Sequence, residues 1–316
     1  MVRYVAVTGS VQTETNTRLA IVVCTLNRQA ASRWLVTYID ELAQRACFNF
    51  RLSMVLVESS EEPTRFFGEP EVIDFFHVRS EPGLPHQRNV GVNFVLETLP
   101  DVSSIVFLDD DVIPSSNFLR TVAEGNFPQG SRAIGSFDAL KRESWQARLA
   151  EKIGVSPMPG RISRGGFATA PRADYEGDEL DWIPGFAFAI HRDVFGHFSF
   201  PEDVDFFGED VLFGIKLRTK EQLSIPDGAV VFHSPFGVRR RGEGDDYKHK
   251  YLLAHKITGM AIAGEFSRTY FWAHTLMDFV LLALPALVSP SWRIRFLGLT
   301  RSIVELAKSS KVRRSS

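Results

Sequence analysis

Three consecutive carboxylates, Asp109-Asp110-Asp111, follow the apolar run Ile105-Val106-Phe107-Leu108. Adjacent anions at the end of a buried strand repel one another unless a cation or a set of donors compensates them. That pattern points to divalent metal chemistry. Mg²⁺ or Mn²⁺ prefers oxygen ligands, keeps several waters, and is commonly held by one or two carboxylates together with substrate phosphates. In extended chain Asp109 and Asp111 point to one side and Asp110 to the other, so the outer pair can reach one ion. The competing reading is a solvated acidic loop capping the turn at Pro114-Ser115.

Three further groups carry chemistry that such a site would use. Glu209-Asp210 opens an apolar helical pattern through Val211, Leu212, Ile215 and Leu217, where acids also serve as ordinary dipole complements. His233 ends the run Val230-Val231-Phe232, and Arg239-Arg240-Arg241 follows it. A lone histidine is commonly structural and an arginine run commonly solvated. Beside an acidic cluster, the imidazole could instead ligate a metal and the guanidiniums a diphosphate.

The elements that must position these groups are legible as apolar runs. Leu19–Thr25, Leu52–Val57, Ile73–Val78 and Ile105–Leu108 read as strands. Leu35, Ile39, Leu42 and Ala46 share one helical face between the first two; Val92, Val95, Leu96 and Leu99 share another between the last two. Continuous rather than alternating strands, separated by helices, predict a parallel sheet covered on both faces. Ligands of such sheets bind beyond the carboxyl ends of the strands. Asn27-Arg28, Glu58-Ser59-Ser60 and Asp109 to Asp111 then share one rim. The stretch Gly154–Glu179, rich in Gly, Pro, Arg and Ser, predicts a long loop, either a lid or a connection. Trp182–Ile190 reads as another strand, and Trp182 and Phe186 suit either stacking on a ligand or the core.

Composition narrows the function classes. With 316 residues, 44% hydrophobic and 23% charged, the chain can bury one large α/β core or two smaller ones. A net charge of −2 and aromatic content dominated by 26 Phe give no footprint for nucleic acid. Two cysteines, Cys24 and Cys47, exclude a disulfide scaffold and fit a reducing compartment. Met1 to Arg18 has no apolar core of signal-peptide length, so export is not expected.

Five motifs in order carry a resemblance: Cys24-Thr25-Leu26-Asn27-Arg28, Gln87-Arg88-Asn89-Val90-Gly91, Phe107-Leu108-Asp109-Asp110-Asp111, Trp182-Ile183-Pro184-Gly185 and Phe207-Gly208-Glu209-Asp210. Over roughly residues 19–241 the chain resembles family 2 glycosyltransferases. The resemblance implies an α/β fold of GT-A type: a Rossmann-like sandwich with a mixed central sheet, here followed by C-terminal amphipathic helices. It implies Asp109 and Asp111 as D-x-D carboxylates for Mn²⁺ or Mg²⁺, Asp110 near the ribose, and His233 as an additional ligand. Thr25 and Glu58 match the base and ribose pocket, and Arg88 and Asn89 the element beside the nucleotide. Asn27, Arg28, Trp182, Gly185 and Arg239 complete the expected donor site. Asp210 matches the general base, supported by Glu209, in an inverting transfer from a nucleoside-diphosphate sugar to a glycan or lipid-linked hydroxyl. UDP or dTDP donors are favoured. Cys24-Thr25-Leu26 stands where Pro-Thr-Tyr is common, Glu58 where Asp is usual, and Gln87 where Ala is usual.

The implied layout is an N-terminal extension over 1–18, a catalytic domain over 19–241 with nucleotide (19–111) and acceptor (131–241) halves, and a helical region over 242–316. Phe266–Val288 is interrupted by Arg268, His274 and Asp278, which predicts an interfacial or buried helix rather than a spanning one. Basic amphipathic segments at Trp292–Leu297 and Ile303–Lys308 predict contact between 266–316 and an anionic membrane surface, in a cytoplasmic protein peripheral at the inner face. Two other readings use the same acids. A metal-dependent nucleotidyltransferase would need a glycine-rich phosphate loop where Thr25-Leu26-Asn27-Arg28-Gln29 stands. A non-catalytic sugar-nucleotide or lipid-binding protein would not need Asp210.

Overall fold

The computed structural model describes residues 4–7, 17–66, 68–128, 130–138, 158–171, 180–202, 208–233, 243–260 and 265–312. The chain divides into two compact units, one of Met1–Arg142 with Pro171–Gly237, the other of Glu143–Ala170 with Val238–Ser316.

The apolar runs of the first unit become a sheet. β1 (Tyr4–Val7), β2 (Arg18–Thr25), β3 (Arg51–Glu58), β4 (Asp74–Arg79), β5 (Val102–Asp109), β7 (Ser131–Gly135), β9 (Ala187–His191) and β10 (Gln222–Ser224) lie in the order β1-β4-β3-β2-β5-β9-β7-β10. β4, β3, β2 and β5 run parallel, while β9 is antiparallel to both β5 and β7 and makes the sheet mixed. β1 adds an antiparallel edge strand to β4, within the stretch expected as an extension. A second sheet of β6 (Val112–Pro114), β11 (Val230–His233) and β8 (Phe137–Asp138) sits just past the end of β5.

Both faces of the main sheet are covered, which is why its central strands are apolar at every position. Leu19, Ile21 and Val23 of β2 pack in one core with Leu35, Val36 and Ile39 of α1 (Gln29–Ala46) and Phe118, Leu119 and Val122 of α3 (Ser116–Ala123). Ala20 and Val22 face the other core, with Val92, Phe94 and Val95 of α2 (Leu84–Thr98) and Phe213 and Leu217 of α4 (Glu209–Leu217). α2 lies so close to β2 that a Cβ on Gly91 would stand 2.5 Å from Val22 Cγ1, which no side chain tolerates.

Trp182–Ile190 departs from the expected strand: the strand begins only at Ala187, and residues 182–186 are irregular. Pro184 offers no N–H to a ladder, and Gly185 spends its N–H and carbonyl on Asp210 and Arg88 side chains instead. Within Gly154–Glu179, residues 154–157 and 172–179 lie outside the described residues, as does Phe206-Phe207.

The second unit is helical: α5 (Glu243–Thr258), α6 (Arg268–Val288) and α7 (Pro290–Val312). Its core gathers Phe167, Tyr251, Ala254, Phe271, Leu282, Leu299 and Leu306. Residues 158–170, expected in the acceptor half, belong here. Phe167 stacks on Phe271 and meets Tyr251 edge-on, and Ser267 N donates to Arg164 O. Asp278 of α6 accepts from the Tyr251 hydroxyl and sits 3.4 Å from His274 Nδ1. Burial pushes its pKa up, but the bonds from His274 and Tyr251 and the charge of Lys250 outweigh that and hold it below the carboxylate norm.

Candidate active site

At the carboxyl ends of β2 and β5, Asp109 to Asp111 meet the start of α1. Asp110 accepts from Thr25 Oγ1 at 2.7 Å and is paired with Arg28, which also holds Asp111 at 3.0 Å. Gln87 of α2 donates to Thr25 O and Val57 O, both at 2.9 Å, and so clamps the ends of β2 and β3 to one helix. Thr25, Arg28 and all three aspartates therefore share the expected rim. Cys24, beside them, has its thiol pushed up to about 12 by burial and is chemically inert.

The connection to the Glu209-Asp210 pair runs through one arginine and one glycine. Arg88, buried on α2, donates to Glu209 Oε1 at 3.0 Å and to Gly185 O at 2.7 Å, with Asp109 Oδ1 at 3.5 Å. Gly185 N in turn donates to Asp210 Oδ2 at 2.8 Å. Asp109 N bonds Phe186 O at 2.9 Å, which fixes this segment against the end of β5. A Cβ on Gly185 would stand 2.9 Å from Asp210 Cβ and 3.0 Å from its Oδ2. Gly185→Ala should therefore displace Asp210 from the Gly185 N–H and lower the melting temperature by several degrees in calorimetry.

Charge is out of balance here. Among the described residues, five carboxylates, Asp109, Asp110, Asp111, Glu209 and Asp210, stand around two guanidiniums, Arg28 and Arg88. Asp109 is pushed up to about 7: burial is the main cause, Arg88 opposes it, and Asp111, Asp110 and Asp210 add to it. Burial likewise raises Glu209 and Asp210, while Arg88 stays cationic because Glu209 and Asp109 flank it. Such a cluster retains protons or takes a cation.

His233 falls within reach of the same rim. In the antiparallel pairing of β11 with β6 it stands opposite Val112, the residue after Asp111. Its Nδ1 is 2.9 Å from Asp138 Oδ2 and its ring meets Phe186 edge-on. A carboxylate on one ring nitrogen is the arrangement that orients a ligating histidine through the other. Asp138 escaped sequence reasoning; the signal available was that it comes shortly after the apolar Ala133-Ile134-Gly135, as Asp109 comes after Ile105–Leu108. Among the described residues no group of three His, Cys, Asp or Glu side chains is yet gathered to hold a metal. The Arg28 guanidinium pairs with Asp110 and Asp111 at this point of the rim. The oxygen-rich donor set with one imidazole still suits Mn²⁺ or Mg²⁺, provided Arg28 releases Asp111.

Four expected contacts take other roles. Glu58 is fully buried and accepts from Thr64 N, Thr64 Oγ1 and His77, so it fixes the 59–64 loop rather than offering its carboxylate to a base. Asn89 spends its amide on Phe200 N, Phe200 O and Glu202 and pins that segment to α2. Asn27, with φ of 54°, receives Glu61 N on its side chain and donates its own N–H to Ser60 Oγ, tying two rim loops together. Trp182 is buried against Gly214 of α4, a core position rather than a sugar platform. Arg239 lies outside the described residues.

Glu58 also sets a pH dependence. Burial would raise it, but bonds from His77, Thr64 and Ser60 bring it down from 4.5 to about 2. A lowered carboxylate stabilises the fold above its unfolded value, and that stabilisation, on the order of 3 kcal/mol, is lost as pH falls from 4.5 through 2. Glu58→Gln should flatten the acid limb of a urea-midpoint against pH curve.

No protein-family model matches the sequence, and no curated protein does. Solved structures do. A mannosyltransferase, PcManGT from Pyrobaculum calidifontis, in complex with GDP-Man and Mn²⁺, superimposes with a TM-score of 0.51 at 15% identity, over 94% of this chain and 89% of that one. The fold is GT-A. S. aureus TarS 1-349 in complex with UDP-GlcNAc gives 0.46 at 12% identity over 89% of this chain and 79% of that one. The catalytic domain of Drosophila beta1,4galactosyltransferase 7, complexed with xylobiose, gives 0.40 at 13% over 69% and 70%. The assignment rests on the first of these. With the sheet order and the mixed β9, it is a glycosyltransferase fold whose strand ends carry the acidic rim.

Proposed function

We propose that this chain is a metal-dependent, inverting glycosyltransferase of the family 2 kind. It moves a hexosyl or deoxyhexosyl group from a nucleoside-diphosphate sugar to a hydroxyl of a glycan or lipid-linked acceptor. The observation that supports it best is the joining of the two acidic motifs: Arg88 and Gly185 together hold Asp109, Glu209 and Asp210 around one rim.

A cation held by Asp109, Asp111 and His233 would stabilise the negative charge that develops on the departing diphosphate. Arg28, on releasing Asp111, is placed to follow the phosphates with its guanidinium. Thr25 and Asp110 lie where the nucleoside enters. Asp210 takes the proton of the acceptor hydroxyl during attack, since a free hydroxyl is a weak nucleophile at neutral pH. Burial raises its pKa toward working pH, and the Gly185 N–H holds one of its oxygens in place. Glu209, paired with Arg88, positions the helix start rather than reacting. A lipid-linked acceptor would be met at the inner face of the membrane.

The test is product analysis with UDP-, dTDP- and GDP-sugars, Mn²⁺ or Mg²⁺, and glycan or polyprenyl acceptors. Release of the nucleoside diphosphate and a new linkage of opposite anomeric configuration by proton NMR is expected. Release of pyrophosphate instead, or a retained configuration, would contradict the proposal.

A further inference from the structure

α6 (Arg268–Val288) is built inside out. On the helical unit it turns Phe271, Thr275, Leu282 and Ala286 inward, but its ionisable residues after the first turn, His274 and Asp278, also lie on the less exposed side, against Tyr251. The face left to solvent is apolar along the whole length: Tyr270 (53% exposed), Leu276 (66%), Val280 (61%), Leu281 (57%), Leu287 (74%) and Val288 (85%). A helix meant for water carries its charges outside and its leucines inside. From Tyr270 to Val288 the strip runs for about 27 Å at 1.5 Å per residue, and contiguous apolar surface of this kind marks an interaction site.

Both ends of the strip carry the same device. Near the first turn, the Arg164 guanidinium lies over the exposed Tyr270 ring at 5.7 Å, and Trp272 follows. Just past the last turn, Arg295 lies over the exposed Trp292 ring at 5.4 Å, and Arg293 Nε bonds Ala286 O. Guanidiniums packed on amphipathic rings belong at the headgroup level of a bilayer, where the ring is half apolar and the cation meets lipid phosphate.

By length and composition α6 could cross a membrane: 21 residues, with a mean hydropathy of 1.7. Its neighbours argue otherwise. α7 packs against it, Phe279 on Phe296 at 4.9 Å, and exposes Arg301, Glu305 and Lys308, charges that a spanning hairpin would carry into hydrocarbon. We infer that α6 lies in the plane of an anionic bilayer, its apolar face sunk to the acyl boundary and its two arginine-aromatic ends at the phosphates. This goes beyond the proposed transfer reaction and stands independently of it.

Flotation of the full chain with phosphatidylcholine vesicles containing 30% phosphatidylglycerol tests it. The expected result is recovery with the vesicles, at least tenfold less with pure phosphatidylcholine or at 1 M salt, and release by alkaline carbonate. Leu276→Glu with Val280→Glu changes only exposed positions, so it should keep the wild-type circular dichroism and melting temperature while losing flotation at least tenfold. Unchanged flotation of that variant, no flotation of the wild type, or retention through carbonate extraction would each overturn the inference. So would a concentration-dependent dimer in light scattering that the double variant abolishes, since the face would then cover a second copy.

Discussion

Asp210→Asn should abolish sugar transfer, by a factor of about 1,000 or more, while donor binding in the presence of Mn²⁺ stays within about twofold of wild type. General-base catalysis supplies roughly 100- to 10,000-fold, and an amide of the same shape cannot take the proton. The two readouts should separate because the hydrogen bonds of the Asp210 carboxylate go to Gly185 N–H and its own helix start, while only its charge reaches Asp109. Asparagine can keep an acceptor oxygen toward Gly185, so the segment against β5 should hold. Measured by product formation and by isothermal titration with donor, a variant that retains turnover removes Asp210 from the reaction. One that loses donor binding in parallel makes it a structural support instead.

Removing Arg88 should be the most damaging change to the fold. Its guanidinium is buried and stands between Glu209 at 3.0 Å and Asp109 at 3.5 Å, with phenylalanine rings at 188 and 200 about it. Arg88→Met would leave Glu209 buried without its partner, with Asp109 partly exposed nearby. Breaking a buried pair from one side typically costs about 3–5 kcal/mol. For a unit near 200 residues that corresponds to a melting temperature lower by roughly 10 °C. Because the penalty is the uncompensated acid and not the lost contact, Glu209→Gln added to Arg88→Met should restore part of the loss. Calorimetry of the two variants checks both statements. An unchanged melting temperature in Arg88→Met would mean the carboxylates carry their charge without the arginine.

The sheet was legible because burial on both faces writes itself into the chain as unbroken apolar runs. β2, β3, β4 and β5 appear where Leu19–Thr25, Leu52–Val57, Ile73–Val78 and Ile105–Leu108 predict them, β4 shifted by one residue and the others extended by one or more. The late start of β9 was not legible, since nothing in Trp182–Phe186 shows that Gly185 will give its backbone polar groups to Arg88 and Asp210. The same blindness applied to Glu58 and Asn89. Motif position places them on the rim, but the partners that claim their side chains, Thr64, His77 and Phe200, become neighbours only through the fold. His233 gained its orienting carboxylate, Asp138, from 95 residues away. For the helical unit, apolar content announced α6 but not its reversed faces. Those depend on Tyr251 of another helix drawing Asp278 inward.

If the surplus of negative charge at the rim serves to hold a divalent cation together with a nucleoside diphosphate, the two ligands should stabilise the fold jointly. Thermal denaturation with Mn²⁺ and each of UDP-, dTDP- and GDP-sugars, singly and combined, addresses it directly. Ligand at 100 times its dissociation constant adds about 2.7 kcal/mol to the native state, a shift of several degrees. A clear rise is expected with one donor class plus Mn²⁺, a small one with either alone, and none in Asp109→Asn combined with Asp111→Asn. If no nucleotide sugar shifts the wild type, or the doubly substituted protein shifts equally, the acidic rim serves some other cation or none.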